Sequence, residues 1–241
     1  MQINLRIPNF CCTFVTKFGF SKKNMDIKAL IRQYFDSAEG TPTIDVFDND
    51  TIYAIYQKVI GVLTHNMEIE TTMLQALSYC FYEVLDNVLT HSGKILGSVL
   101  THYDAKKQSL RVLVADDGIG IHKSLSQEVK YASITEAEAL KACIEDSVTD
   151  GKGMGFGLYS TSLLVKNIGI QFEIHSGTHK LQLVDNDFIV TDAEPWQGTL
   201  VFLEVHTNKE INPNAIVANR TDCVSQYNEE FLDKANIEDL W

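Results

Sequence analysis

The sequence is poor in the features that mark membrane, secreted and disulfide-rich proteins. It contains no apolar run near the roughly 20 residues that a membrane-spanning helix needs. Residues 1–6 lack a secretory signal pattern. The five cysteines are odd in number, and none falls in a CxxC pair. These absences predict a cytoplasmic protein with no membrane segment, whose cysteines are free thiols rather than metal or redox groups.

Basic residues are also scarce. Lysine and arginine number 20 against 32 aspartates and glutamates, which gives a formal net charge of −12 at pH 7. Such a surface repels a phosphate backbone outside any local basic patch, so nucleic acid is not expected as a partner. The 45% hydrophobic and 22% charged content is typical of a globular protein, and 241 residues suit one large domain with appendages.

Composition and periodicity divide the chain into three predicted parts. Residues 1–45 form a locally basic N-terminal segment of unknown role, which either covers one edge of a sheet or serves as a docking surface. Residues 46–207 hold the regular helix and strand patterns, and we expect them to form one domain. Residues 208–241 form an acidic C-terminal tail.

The periodic segments predict helices and strands in a definite order. Helical periodicity covers residues 51–64 and 67–91, and a hairpin-like pair of strands follows at 95–103 and 109–115. Further helices are predicted within 135–145 and 155–167, and further strands near 170–176, 180–184, 188–191 and 199–205. This order predicts an α+β fold, a two-layer α/β sandwich with helices on one face of a mixed, mostly antiparallel sheet.

Glycine occupies every other position of the run Gly151-Lys152-Gly153-Met154-Gly155-Phe156-Gly157-Leu158. Neither helix nor strand preference explains this pattern, since each Gly costs up to about 1 kcal/mol inside an element. The pattern lets the backbone approach a ligand closely and leaves N–H groups free at the start of the next helix, where anions are stabilised. A hinge without a ligand is the alternative. Lys152 is either a phosphate contact or a solvated lysine.

Two familiar phosphate-binding loops do not fit this run. A Walker loop needs Gly-Lys followed by Ser or Thr, whereas Gly153 follows Lys152. A dinucleotide-binding fingerprint follows a strand early in a βαβ unit, whereas this run follows the long polar connection of residues 121–152. A connection of that length is more often a functional lid than an idle loop.

The segment Asp116-Asp117-Gly118-Ile119-Gly120 ends the second strand of the predicted hairpin. Asp-Gly is also a common turn former, so the segment alone has a purely structural interpretation. In the functional interpretation, a buried Asp116 accepts a hydrogen bond from the exocyclic amine of adenine. It would repel the carbonyl oxygen of guanine, and so would select ATP over GTP. Asp117 is expected to face solvent.

Glu83 and Asn87 lie four residues apart on the border of a helical apolar stripe. The amide oxygen of Asn87 is a hard ligand suited to magnesium, and Glu83 can act as a general base one turn earlier. His91, another turn on, lines the same edge. In isolation these residues would belong to a solvated helix face, but their order relative to the two glycine clusters favours a site.

Together these motifs resemble the GHKL group of ATP-binding domains, shared by histidine kinases, DNA gyrase-type enzymes, mismatch-repair ATPases and anti-sigma-factor serine kinases. Glu83-x-x-x-Asn87 resembles the N box, and Asp116-x-Gly118-x-Gly120 resembles the first glycine box. Gly151-x-Gly153-Met154-Gly155-Phe156 resembles the second glycine box, and Gly198-Thr199 the later Gly-Thr. The resemblance covers roughly residues 50 to 205.

The resemblance implies a Bergerat fold with ATP and Mg²⁺ as cofactors. It places Asn87 on the metal, Glu83 as the base and Asp116 on the adenine, with Thr199 supporting adenine recognition. The run from Asn87 to Ser92 resembles the anti-sigma and stand-alone bacterial ATPase branch, which predicts a role in bacterial signalling. His65 lies too close to Asn87 to be the usual phosphorylated histidine, so autophosphorylation on His is not expected.

Three functions remain open at this point. The first is a kinase-like or ATP-switched regulator of a protein partner, which could itself accept the phosphoryl group. The second is an ATPase whose hydrolysis cycle drives a conformational change, and the third is a non-catalytic nucleotide-sensing module. The identity of the partner and the oligomeric state do not follow from the sequence.

Overall fold

The computed structural model describes residues 27–35, 41–66, 71–153, 155 and 157–206. Six helices lie in these ranges: α1 (Ile27–Phe35), α2 (Ile52–Asn66), α3 (Thr71–His91), α4 (Ile121–Leu125), α5 (Glu136–Ala142) and α6 (Gly157–Ile168). The strands in these ranges are β1 (Thr43–Phe47), β2 (Gly97–Asp104), β3 (Ser109–Ala115), β4 (Gln171–Val184) and β5 (Asp187–His206). A short 3₁₀ turn spans Val129–Tyr131. None of the helices in the described ranges combines the length and apolar character that a membrane crossing requires.

The strands form one sheet in the order β1-β2-β3-β5-β4, and each neighbouring pair is antiparallel. The predicted α+β class and the mostly antiparallel pairing are therefore confirmed. The predicted strands at 170–176 and 180–184 are one strand, β4, and those at 188–191 and 199–205 are one strand, β5. The β4 register shifts between Ser176 and His179, at the gap between the predicted strands. Asp185 and Asn186, both at positive φ, close the hairpin as a two-residue turn.

The larger core lies between the sheet and helices α2, α3 and α6. Strand β3 shows how the pleat divides the two faces, since Leu110, Val112 and Val114 point into this core. Leu113 and Ala115 point to the opposite face. The apolar stripe predicted for α3 is buried as expected, with Leu77, Phe81, Val84 and Val88 inside this core.

Helix α1 covers the opposite face of the sheet. Leu30, Tyr34 and Phe35 pack there, and the ring centroids of Tyr34 and Phe202 lie 4.9 Å apart. The Tyr34 hydroxyl also donates a 2.6 Å hydrogen bond to the Glu173 carboxylate. The described part of the N-terminal segment thus covers a sheet face through α1, while β1 pairs with β2 at the edge. The domain boundaries at residues 45 and 207 stay a prediction. The acidic C-terminal tail, also a prediction, lies outside the described residues.

The predicted lid, residues 121–152, is a folded connection that holds α4, the 3₁₀ turn and α5. Thr135 begins α5 with a reciprocal capping box, in which its hydroxyl accepts from the Glu138 N–H. The Glu136 carboxylate accepts hydrogen bonds from the Thr178 N–H at 2.9 Å and the Thr178 hydroxyl at 2.6 Å. Helix α5 is therefore fixed to the bulge of β4 by hydrogen bonds within the protein.

Candidate functional site

A cavity of about 270 Å³ lies where α3, the start of α6 and the last turns of the lid meet the sheet. Its lining includes eight of the twelve predicted site residues: Glu83, Asn87, Asp116, Gly120, Lys152, Gly153, Gly155 and Thr199. His91, which the sequence placed on the same edge, lines it as well. These residues come from parts of the chain that are far apart in sequence. The fold therefore brings the three predicted motifs to one site.

Two of the predicted glycines lie behind the cavity rather than on its wall. The Gly118 N–H donates a 2.7 Å hydrogen bond to Asp116 Oδ1, and a Cβ at this position would collide with the Ser92 carbonyl. Gly151 has φ of 85°, and a Cβ there would meet the Glu128 carboxylate at 2.6 Å. Both positions need glycine for backbone reasons. Met154 and Phe156 lie outside the described residues.

Asp116 follows the end of β3, and the residue is 2% exposed. Burial raises the pKa of Asp116 to about 6, although hydrogen bonds from the Gly118 and Thr199 backbone N–H groups favour its charged form. The cavity wall around it carries the apolar side chains of Val114, Ile174 and Val201. A flat heterocycle with an amine facing Asp116 fits an apolar cleft that offers one buried acceptor.

Four consecutive residues of β5 hold the Asp116 turn in place. The Trp196 indole N–H donates to the Asp116 carbonyl at 3.2 Å, and the Gln197 amide donates to the Gly118 carbonyl. Gly198 has φ of 98°, and a Cβ there would collide with the Asp116 carbonyl. The Asp116 N–H donates to the Thr199 carbonyl at 3.0 Å. Sequence reasoning found Gly198-Thr199 and missed the two residues before it, which carry no periodic signal.

Asp117 differs from its expected position. Its side chain is only 12% exposed and pairs with Lys94, with Oδ1 3.2 Å from Nζ. The expectation that Asp117 faces solvent is therefore wrong. Its backbone lies in the same turn that Ser92 fixes from the other side, because the Ile119 N–H donates to the Ser92 carbonyl at 2.9 Å.

Glu83 lies at the other end of the cavity, against the first residue of α6. A Cβ on Gly157 would collide with Glu83 Oε2, so the glycine lets helix and carboxylate come into contact. Burial and the nearby Asp86 raise the pKa of Glu83 to about 7, against a smaller opposing effect of a hydrogen bond from Tyr79. A carboxylate with such a pKa is suited to accept a proton near neutral pH.

Asn87 lines the same end of the cavity, one turn after Glu83. Its amide nitrogen is buried and has no hydrogen-bond partner among the described residues, so the protein does not engage the amide fully. Four carboxylates line the described cavity (Glu83, Asp86, Asp116 and Asp150), against Lys152 and His91 as basic groups. No cluster of three or more His, Cys, Asp or Glu side chains suited to a metal occurs in the described ranges. This donor set fits Mg²⁺ held by one amide oxygen together with ligand phosphates and water.

Asp150 is a lining residue that sequence reasoning missed. Its carboxylate is only 2% exposed and lies 2.9 Å from His91 Nδ1. It also accepts a 2.5 Å hydrogen bond from the Ser124 hydroxyl and a 3.1 Å one from the Lys152 N–H. In the sequence, Thr149-Asp150-Gly151 has the signature of a simple turn, so only the folded chain reveals these partners.

Two of the five cysteines fall in the described residues. Cys80 and Cys143 are both buried and free. Burial raises the pKa of each thiol to about 12, which leaves them unreactive at neutral pH. For these two positions, the prediction of free thiols is confirmed.

Comparison with known families agrees with this geometry. The family model described as histidine kinase-, DNA gyrase B- and HSP90-like ATPase matches residues 74–208, more than half of the chain. The chain belongs to this family of ATPases, and the predicted GHKL resemblance is confirmed at that level. The matched region contains every predicted site residue from Glu83 to Thr199. No curated protein matches the chain.

Proposed function

We propose that the protein is a cytoplasmic, Mg-ATP-dependent regulator that acts on a protein partner by phosphoryl transfer or by an ATP-driven switch. One observation carries the enzymatic part of this proposal. Glu83 is half-buried at the rim of the cavity, with its pKa raised to about 7, beside Asn87 and the N-terminus of α6. A module that only binds nucleotide needs no such base.

The proposed reaction uses Glu83 to activate a hydroxyl nucleophile. The oxygen of a partner serine or threonine attacks the γ-phosphorus of ATP, and the bond from that phosphorus to the β–γ bridging oxygen breaks. ADP leaves, and the hydroxyl proton passes to the Glu83 carboxylate. With water as the nucleophile, the same steps release inorganic phosphate, which is the ATPase alternative. The resemblance to the anti-sigma branch favours a protein acceptor.

The phosphates would lie between Asn87 and the glycine run. Asn87 would hold Mg²⁺, which when bound neutralises phosphate charge. The N–H groups at the start of α6 would donate hydrogen bonds to phosphate oxygens, as helix N-termini commonly do. Gly153 and Gly155 line the cavity and leave room for the phosphates. Lys152 Nζ lies 3.5 Å from Asp150 Oδ2 and is 39% exposed, within reach of a phosphate at the cavity mouth.

The lid supplies the switch in this proposal. Its helix α5 is held to β4 by Glu136, whereas the turn around Gly151 and Lys152 is exposed. Binding of the phosphates would reorder that turn and change the surface offered to a partner. The same arrangement also serves a non-catalytic sensor, which is the third candidate.

The binding half of the proposal is tested by thermal unfolding with ATP, ADP and GTP, each with and without Mg²⁺. Ligand at a hundredfold excess over Kd stabilises the native state by about 2.7 kcal/mol. We expect a Mg²⁺-dependent shift with ATP and none with GTP, because the cavity is acidic and Asp116 opposes guanine. If no nucleotide shifts the transition, the proposed function is wrong.

The catalytic half is tested with Glu83→Gln, which keeps the size of the side chain and removes the base. We expect it to retain the ATP-induced shift and to lose turnover by about 10² to 10⁴ fold. The control is Glu145→Gln, which alters an exposed carboxylate within the lid that does not line the cavity. Phosphate release by the chain alone supports the ATPase alternative. Glu83-dependent transfer of label from γ-labelled ATP to protein in a cell extract supports the kinase, and binding with neither activity supports the sensor.

A further inference from the structure

We propose that Asp150 is a positioning residue that holds His91 and the Lys152 backbone in the geometry that receives the phosphates of the nucleotide. The inference rests on the proposed function of the cavity and adds Asp150, which lies outside the motifs that carry the family resemblance. It is carried by one buried carboxylate that contacts three separate segments.

The Asp150 carboxylate connects the end of α3, the start of the lid and the glycine run. Oδ1 lies 2.9 Å from His91 Nδ1 and 3.1 Å from the Lys152 backbone nitrogen. Oδ2 accepts the Ser124 hydroxyl at 2.5 Å and lies 3.5 Å from Lys152 Nζ. Both carboxylate oxygens are therefore satisfied by donors that converge on the cavity.

The ionised carboxylate is the form that this arrangement requires. Burial alone would raise the pKa of Asp150, but the hydrogen bonds from Ser124 and His91 outweigh it and hold the pKa below its usual value. The carboxylate acts here only as an acceptor, so His91 Nδ1 must carry the proton that it donates. This fixes the orientation of the imidazole and leaves Nε2 as the ring nitrogen that is available to a ligand.

The available side of the imidazole faces the glycine run. A Cβ on Gly153 would lie 3.9 Å from both Cε1 and Nε2 of His91, so this edge of the ring lies close to the Gly153 backbone. The run is also held from within, since the Thr149 hydroxyl donates to the Gly153 carbonyl at 2.7 Å and accepts from the Gly151 N–H at 3.1 Å. Asp150 thus sets the position of the ring and the backbone at the same point of the cavity.

The adenine end does not depend on Asp150. Asp116 is held by Gly118, Trp196 and Thr199, none of which contacts the Asp150 carboxylate in the described structure. A ligand without phosphates therefore separates positioning of the phosphate end from general support of the fold. Adenosine is that ligand.

The test compares Mg-ATP and adenosine binding, by calorimetric titration, to the native chain and to Asp150→Ala. We expect about tenfold weaker ATP binding in the variant, from loss of a charge-assisted hydrogen-bond network, and unchanged adenosine binding. Asp150→Asn keeps the volume and one acceptor oxygen, so it should recover part of the ATP affinity. The ¹⁵N signals of His91 should report a proton on Nδ1 in the native chain and lose that signature in Asp150→Ala.

Asp104→Ala is the matched control, since Asp104 is also buried and accepts two backbone N–H groups, at 3.0 and 3.1 Å, in the β2–β3 turn. It should leave the ratio of ATP to adenosine affinity unchanged. If Asp150→Ala lowers the affinities for ATP and adenosine equally, or lowers neither, the inference is overturned while the proposed function stands. A native chain that binds no ATP overturns both. If Asp150→Ala does not fold, Asp150→Asn carries the same comparison.

Discussion

The two ends of the cavity are built on different principles. At the proposed adenine end, the Asp116 turn is fixed by hydrogen bonds from Gly118, Trp196 and Gln197, and by the β3–β5 ladder. At the proposed phosphate end, Glu83 has a pKa raised to about 7, and the Asn87 amide nitrogen has no partner in the described structure. The first end is a tightly held turn, whereas the second retains a buried amide N–H without a partner in the described structure.

Under the proposed function, this difference assigns selectivity to one end of the cavity and chemistry to the other. A rigid acceptor in an apolar cleft distinguishes adenine from guanine because a wrong base leaves buried polar groups unpaired. Burial raises the pKa of a carboxyl at both ends, Asp116 to about 6 and Glu83 to about 7, and such shifts are typical of functional sites. Changes at the adenine end should therefore affect all adenine ligands, and changes at the phosphate end should affect ATP alone.

The largest expected effect in this comparison is that of Asp116→Asn. Loss of a hydrogen bond to a charged acceptor costs about 1.5–3 kcal/mol, so the affinity for ATP should fall about 10- to 100-fold. The affinity for adenosine should fall by the same factor, in contrast to Asp150→Ala. Titration of both ligands checks this, with Asp104→Asn as the control in a buried turn away from the cavity. Equal ATP affinity in Asp116→Asn and native protein would contradict the assignment of the adenine end.

An intermediate effect is expected on the pH dependence of stability in Glu83→Gln. The folded-state pKa of Glu83 is raised from 4.5 to about 7, so its contribution to stability is full below about 4.5 and is lost as pH rises through 7. Glutamine resembles the protonated acid. The variant should match the native chain near pH 5 and exceed its free energy of unfolding by roughly 1–3 kcal/mol at pH 8.

Denaturant unfolding at several pH values measures this difference without any nucleotide. Glu145→Gln, at an exposed position, serves as the control for the substitution itself. A constant difference between Glu83→Gln and the native chain from pH 5 to pH 8 would falsify the raised pKa and remove the argument for Glu83 as a base.

The smallest expected effect concerns the lid. Glu136→Ala removes the acceptor of two hydrogen bonds from Thr178, each worth about 0.5–1.5 kcal/mol. Hydrogen exchange in α5 should become several-fold faster, because its attachment to β4 is weakened. Lys141→Ala, an exposed change on the same helix, should leave that rate nearly unaltered. Unchanged exchange in Glu136→Ala would mean that packing of Ala139 and Leu140, rather than Glu136, fixes the helix.

Much of the fold was predictable because its helices and strands follow local periodicity. The stripe of α3 and the β2–β3 hairpin follow from spacing that any buried face requires. The division of β4 was predicted wrongly, since Gly177 interrupts the pattern but lies in a bulge that a continuous strand accommodates. The beginning predicted for α3 at Met67 lies outside the described residues.

The candidate site was predictable to a different degree at each end. Glu83, Asn87 and Asp116 were found because their chemistry comes with fixed spacing along the chain. Trp196, Gln197 and Ser124 were not, because each acts through a partner 26 or more residues away. Asp150 likewise has the local sequence of an ordinary turn. The roles of the predicted residues remain predictions that the experiments above address.

The sequence by itself determined the class of the protein, because glycines, a strand-end aspartate and an i,i+4 Glu-Asn pair occur in an order that local preferences do not produce. Only the tertiary structure decided the electrostatics of the site. Burial against Gly157 and near Asp86 raises the pKa of Glu83, and the approach of His91 and Ser124 keeps Asp150 ionised. Both effects depend on desolvation and on distances across the fold, and these exist only once distant segments have packed together.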